Sequence, residues 1–180
     1  MPEIVRSALV PLPPRNLFAV VDDVARYPEF LPWCSRAVVH AVTSEEMVAE
    51  LEVAGSGIRE RFTTRNRRFP HERIELSLVS GPFRQFSGVW TFAAIGGDQG
   101  CRVALRLEFE LAGAAALLGP AFGSFFVRAA DRMVDAFCAR AASAPATDAP
   151  APSAPAVNGP RANLSLANTG SVGRSQEDKP

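Results

Sequence analysis

The sequence predicts an α+β domain in which a curved antiparallel sheet of about seven strands grips a long C-terminal helix. Between residues 35 and 111, apolar and polar side chains alternate along successive strands whose connections are too short for crossover helices. From about Ala115 to Ala142, apolar residues instead recur at spacings of three and four, the mark of one helical face. A total of 180 residues suits one domain, since about 100–200 residues usually make one.

Each element has its own signal. Glu3–Val10 reads as a first strand, stopped by Pro11, Pro13 and Pro14. Asn16–Arg26 has helical spacing, with Leu17, Val20, Val21 and Val24 on one stripe. Pro28 and Pro32 forbid a continuous helix through Tyr27–Cys34, which predicts a broken turn or two short helices. Met47, Ala49, Leu51 and Val53 then share one parity, and Gly55-Ser56-Gly57 turns into a strand through about Arg68. Ile74, Leu76 and Leu78 follow, then Phe86, Gly88, Trp90 and Phe92, and finally Val103, Leu105, Leu107, Phe109 and Leu111. Each set faces inward against charged neighbours on the opposite parity, as in a sheet with one solvated face. Phe122, Phe126, Ala129, Met133 and Phe137 form the apolar face of the terminal helix, with Gly119-Pro120 at its start. Residues 143–180 are dominated by Ala, Pro, Ser, Asn and Gly, a composition that predicts a disordered tail after a domain of residues 1–142.

Composition excludes some function classes. Nineteen basic and nineteen acidic residues give no net field toward nucleic acid or anionic membrane. Cys34, Cys101 and Cys138 are too scattered for a metal-binding motif and odd in number, so buried free thiols are expected. The N-terminus lacks the apolar core of a signal peptide, and no run reaches the roughly 18 apolar residues of a membrane span. A cytoplasmic protein is the expectation. His40 and His71 lie in no metal-ligand spacing and beside no obvious nucleophile, so no catalytic set emerges and an enzyme is not expected.

Five segments in order carry a family resemblance: Tyr27-Pro-Glu-Phe-Leu-Pro-Trp-Cys34, Phe62-Thr-Thr-Arg-Asn66, Ser80-Gly-Pro-Phe83, Gly88-Val-Trp-Thr-Phe92 and Met133-Val-Asp-Ala-Phe137. Together they resemble the coenzyme Q-binding START-domain family, a branch of the polyketide cyclase/START-like superfamily that includes the RatA type of ribosome-association toxin. The resemblance covers about residues 1–142. It implies a START-like helix-grip fold and a lipophilic cavity, with no required cofactor. Its leading functional implication is non-catalytic binding of ubiquinone or another polyprenyl lipid in support of respiration. The alternative is inhibition of ribosomal subunit association, and a cyclase-like enzyme is a further one. The implied partners are an apolar small molecule, the ribosome and, through an apolar opening near Trp33 and Phe83, a transient membrane contact at the inner membrane.

A lipid with an isoprenoid tail needs dry walls and few polar groups. Phe18, Tyr27, Phe30, Trp33, Phe62, Phe83, Phe86, Trp90, Phe109, Phe122, Phe126 and Met133 are the candidate walls, although aromatic stripes at these spacings equally serve as plain core. Glu60 shares the inward parity of Ile58 and Phe62 and is the candidate polar anchor, unless a bulge near Gly57 places it in solvent. Arg59, Arg61, Arg65 and Arg67 share the outward parity. They offer either a footprint for RNA or anionic headgroups, or partners for Glu50, Glu52 and Glu75 on adjacent strands.

Overall fold

The computed structural model describes residues 3–55, 57–113 and 119–143. The predicted tail beyond Ser143 and the predicted start of the terminal helix before Gly119 lie outside the described residues. Seven strands form one antiparallel sheet: β1 Glu3–Val10, β2 Cys34–Val42, β3 Glu46–Gly55, β4 Ile58–Phe69, β5 Arg73–Ser80, β6 Phe83–Ile95 and β7 Gly100–Leu111. Their spatial order is β1-β7-β6-β5-β4-β3-β2, so only β1 joins out of sequence, and β1 and β2 are the edges. Register shifts at Cys34/Arg36, Val39/Ala41, Thr63/Thr64 and Phe83/Gln85 mark bulges. Bulges bend strands and raise local twist, which curves the sheet.

Among the described residues, three α-helices complete the fold: α1 Pro14–Asp22, α2 Tyr27–Phe30 and α3 Gly119–Ser143. The single helix expected over Asn16–Arg26 is interrupted. α1 begins earlier, with Pro14 in its first turn, where proline costs no hydrogen bond. It ends at Asp23, whose φ of −82° and ψ of 64° leave the helical region, and a 3-10 turn follows over Val24–Arg26. The stripe still works, because Leu17, Val21 and Val24 are all buried. Tyr27 fixes this corner by donating its hydroxyl to the Val21 carbonyl at 2.5 Å.

α3 lies in the concave face of the sheet. Its buried residues Phe122, Phe126, Ala130, Val134 and Phe137 meet the inward parities of the strands, such as Leu105, Leu107 and Phe109 of β7. Fully burying one such phenylalanine or leucine contributes about 1.5–3 kcal/mol. One close approach fixes where the helix passes the β3–β4 hairpin. A Cβ on Gly55 would stand 2.6 Å from Cε2 of Phe125, so glycine is what lets this ring seat there. Gly57, at φ +79°, supplies the left-handed backbone of the same turn.

Candidate functional site

The space between helix and sheet is filled unevenly. Toward the start of α3, rings pack closely: Phe109 and Phe126 have centroids 4.8 Å apart, and Phe83 lies 5.2 Å from both Phe86 and Phe126 and 5.5 Å from Phe62. Under the middle of α3 a cavity of about 60 Å³ remains. Small residues create it: Ala129 and Ala130 form its roof and Ala49 part of its floor. Val21, Val24, Leu51, Ile74, Leu76 and Leu107 supply more apolar wall.

Seven of the candidate ligand residues line this cavity: Tyr27, Trp33, Phe62, Phe86, Trp90, Phe126 and Met133. Five others lie elsewhere. Phe83, Phe109 and Phe122 belong to the packed end, and Phe18 packs on Phe92 at 5.6 Å and His71 at 5.7 Å. Phe30 covers Phe137 at 5.2 Å. Parity brought these rings inside, but parity does not say where along the groove the space is left. Of the two residues expected to flank an apolar opening, Trp33 lines the cavity and Phe83 does not, and both are buried.

Glu60 keeps its inward parity, opposite Val53, yet it is half-buried and stands outside the cavity. Its place two residues from the strand's start puts it near the hairpin end of the groove. The polar wall is formed instead by Thr64 and Asn66, the next inward positions of β4, and by Asp22 at the end of α1. Thr64 and Asn66 are both buried, and the Thr64 hydroxyl donates to Asn66 Oδ1 at 2.8 Å. Asp22 accepts from Arg68 Nη1 at 3.0 Å, while Arg68 Nη2 donates to the Thr43 carbonyl. Burial pushes the Asp22 carboxyl above its ordinary range, more than Arg68 pulls it down. Burial likewise raises Tyr27 well above its usual value and Cys34 to about 11. Continued alternation after Phe62 was the signal for Thr64 and Asn66. The Asp22–Arg68 pair spans 46 residues, and no local pattern announces it.

Arg59, Arg61, Arg65 and Arg67 do form one exposed row on the outer face of β4. Adjacent glutamates partly neutralise it. Glu52 accepts from Arg59 at 2.8 Å and from Arg61 at 2.7 Å, and Glu46 lies 3.9 Å from Arg65. Hydrogen bonds from Ser35 and Arg61 hold the Glu52 carboxyl below its ordinary range. Arg67 rests over the Phe69 ring at 5.1 Å. Arg73 pairs with Glu75 at 2.9 Å. Among the described residues, no helix is long and apolar enough to cross a membrane.

Residues 10–138 match the family described as polyketide cyclase / dehydrase and lipid transport. A ribosome association toxin, RatA of Pseudomonas aeruginosa, is 49% identical over 138 residues, covering 77% of this chain and 94% of that protein. The mitochondrial coenzyme Q-binding protein homolog B of Xenopus laevis is 28% identical over 98 residues, 53% of this chain and 40% of the relative. Among solved structures, an 18 kDa protein of Caulobacter crescentus is 34% identical with a TM-score of 0.62, over 78% of this chain and 96% of that one. A START superfamily protein of Mycobacterium smegmatis shares the fold at 18% identity and a TM-score of 0.57, over 78% and 93%.

Proposed function

The chain belongs to the polyketide cyclase/dehydrase and lipid transport family, and we propose that within it the protein acts as a ribosome association toxin that keeps ribosomal subunits apart in the cytoplasm. The observation that carries this reading is the extent of the likeness to the RatA toxin, 138 residues that make up 77% of this chain and 94% of that protein. The likeness to the coenzyme Q-binding relative is shorter and weaker. Contact with ribosomal RNA falls to exposed guanidinium groups. Arg65 and Arg67 are better placed for this than Arg59 and Arg61, which Glu52 already holds. Binding through them weakens with added salt, because each phosphate neutralised releases counterions.

Induced expression tests the reading. Fewer joined ribosomes, more free subunits and arrested protein synthesis are expected in lysate profiles. The Arg65→Glu/Arg67→Glu variant should weaken the effect while its melting temperature stays within about 2 °C of the parent, as surface changes cost little. An unchanged ribosome profile under full expression overturns the proposal.

A second reading, non-catalytic binding of ubiquinone or a related polyprenyl lipid, is favoured by the aromatic cavity. Its difficulty is space: pockets for larger ligands usually span about 300–1,000 Å³, so a polyprenyl chain has to displace α3 from the sheet. The cavity's two titratable side chains argue against catalysis there. Tyr27 is committed to the Val21 carbonyl and Asp22 to Arg68, which leaves no free acid–base pair facing the space.

A further inference from the structure

The two edges of the sheet are protected unequally. β2 breaks register with its neighbour twice, at Cys34/Arg36 and Val39/Ala41, and α2 and the 3-10 turn pack against it. Bulges and covering elements keep an edge strand from pairing with another chain. β1 has no such break: eight consecutive residues, Glu3–Val10, run in unbroken register along β7, and among the described residues no strand lies on the outer side. Among the described residues four large apolar side chains are exposed, and two of them lie on β1, Val5 at 55% and Leu9 at 65%. Both share the outward parity, in register with Arg106 and Arg102.

The sequence of β1 fits a second copy of itself. In an antiparallel pair, residues directly opposite one another share a face. A two-fold axis at Arg6 would oppose Arg6 to Arg6, and like charges so placed destabilise the pair. An axis at Val5 or Ala8 leaves one of the two exposed apolar residues beyond the paired strand. An axis at Ser7 sets Val5 against Leu9, Ser7 against Ser7, Ile4 against Val10 and Arg6 against Ala8, so apolar pairs meet on both faces and no like charges are opposed. The helix beside this edge repeats the symmetry. Arg6 forms an ion pair with Asp131, which sets the middle of α3 beside the middle of β1. Arg128, Asp131, Arg132 and Asp135 follow at spacings of three and four along one side of α3, and all but the half-buried Asp131 are exposed. An axis between Asp131 and Arg132 sets Arg128 against Asp135 and Asp131 against Arg132, opposite charges in each case. We propose that two copies of this chain join through β1 about a two-fold axis at Ser7, continuing the sheet from one copy into the other and opposing the charged stripes of the two α3 helices. Three strands stand between β1 and β4, so the dimer leaves Arg65 and Arg67 free and the inference is independent of ribosome contact.

Sedimentation velocity of the full chain between about 1 μM and about 1 mM, the range suited to a small interface, should show monomer passing into dimer. Val5→Lys/Leu9→Lys should abolish the dimer, since lysine on an edge strand blocks pairing. Copper–phenanthroline oxidation reads the register. Ser7→Cys should cross-link the copies, because opposed Cα atoms stand about 4.5–5.5 Å apart. Val5→Cys should not, because four residues of strand, about 13 Å, separate it from its own copy. The parent chain, with Cys34 and Cys101 buried, controls for the native thiols. Arg128→Asp should weaken the dimer about tenfold, as symmetry counts the pair twice, and adding Asp135→Arg should restore it. Such rescue reports a contact between chains, because the two positions lie about two turns apart on one helix. A monomer throughout the range overturns the proposal, and protected β1 amides in that monomer would assign the edge to another segment of the same chain. A dimer that survives Val5→Lys/Leu9→Lys, or that cross-links through Val5→Cys as readily as through Ser7→Cys, overturns it as well.

Discussion

The two halves of the groove beneath α3 are built from similar residues and end in opposite states. At one end Phe62, Phe83, Phe109, Phe122 and Phe126 interlock with centroid distances of 4.8–6.4 Å, and Phe109 and Phe122 are at most 2% exposed. In the middle, Ala49, Ala129 and Ala130 face one another, and about 60 Å³ stays empty beside Thr64 and Asn66. The contrast teaches that ring content does not make a binding site. Rings opposite rings close the core, whereas rings opposite alanines leave room.

Substitutions can break this contrast. The largest effect is expected for Phe109→Ala, which opens a void in the packed end and should lower the free energy of unfolding by about 3–5 kcal/mol in denaturant titration. Next comes a pair of glycines. A Cβ on Gly81, at φ +147°, would lie 2.5 Å from Phe62 Cβ and 3.0 Å from its backbone Cα, so Gly81→Ala should cost about 2–3 kcal/mol. A Cβ on Gly88 would also meet an atom at 2.5 Å, but that atom is Cδ2 of Leu107, whose side chain borders the cavity. Leu107 has space to retreat into, so Gly88→Ala should cost about 1 kcal/mol or less. Equal costs at the two glycines would mean that the middle is as rigid as the end.

The smallest effect concerns charge. Burial holds Asp22 above its ordinary value, so its favourable contribution is present at acid pH and lost as pH rises through that raised value. Measured against Asp22→Asn, the parent should therefore lose relative stability as pH climbs through the acid range. The opposite slope would show that the Arg68 ion pair outweighs desolvation.

The sheet was legible because its alternation is nearly unbroken. Every inward set read from β3 to β7 is buried or packs against the core, and the helical face of Phe122, Phe126, Ala129 and Phe137 is buried as its spacing requires. The first helix reads as continuous in the sequence, and its break at Asp23 goes with the Tyr27–Val21 hydrogen bond, a contact between elements that helical spacing does not signal. The same limit applied at the site. Parity marked Phe83 and Phe109 as inward without revealing that α3 covers them with Phe122 and Phe126, while Trp90 and Met133 lie under the gap left by Ala129 and Ala130. Glu60 stands out by its charge, whereas Asn66, at the end of the Phe62–Asn66 segment, carries no signal of its place in the wall beyond its inward parity.

The central functional claim is tested most directly by sedimenting purified ribosomal subunits with equimolar protein at a magnesium concentration that favours joining. Free subunits in place of joined ribosomes are the predicted result, with the effect fading as salt rises. Joined ribosomes in undiminished amount, with the protein left at the top of the gradient, would contradict the account.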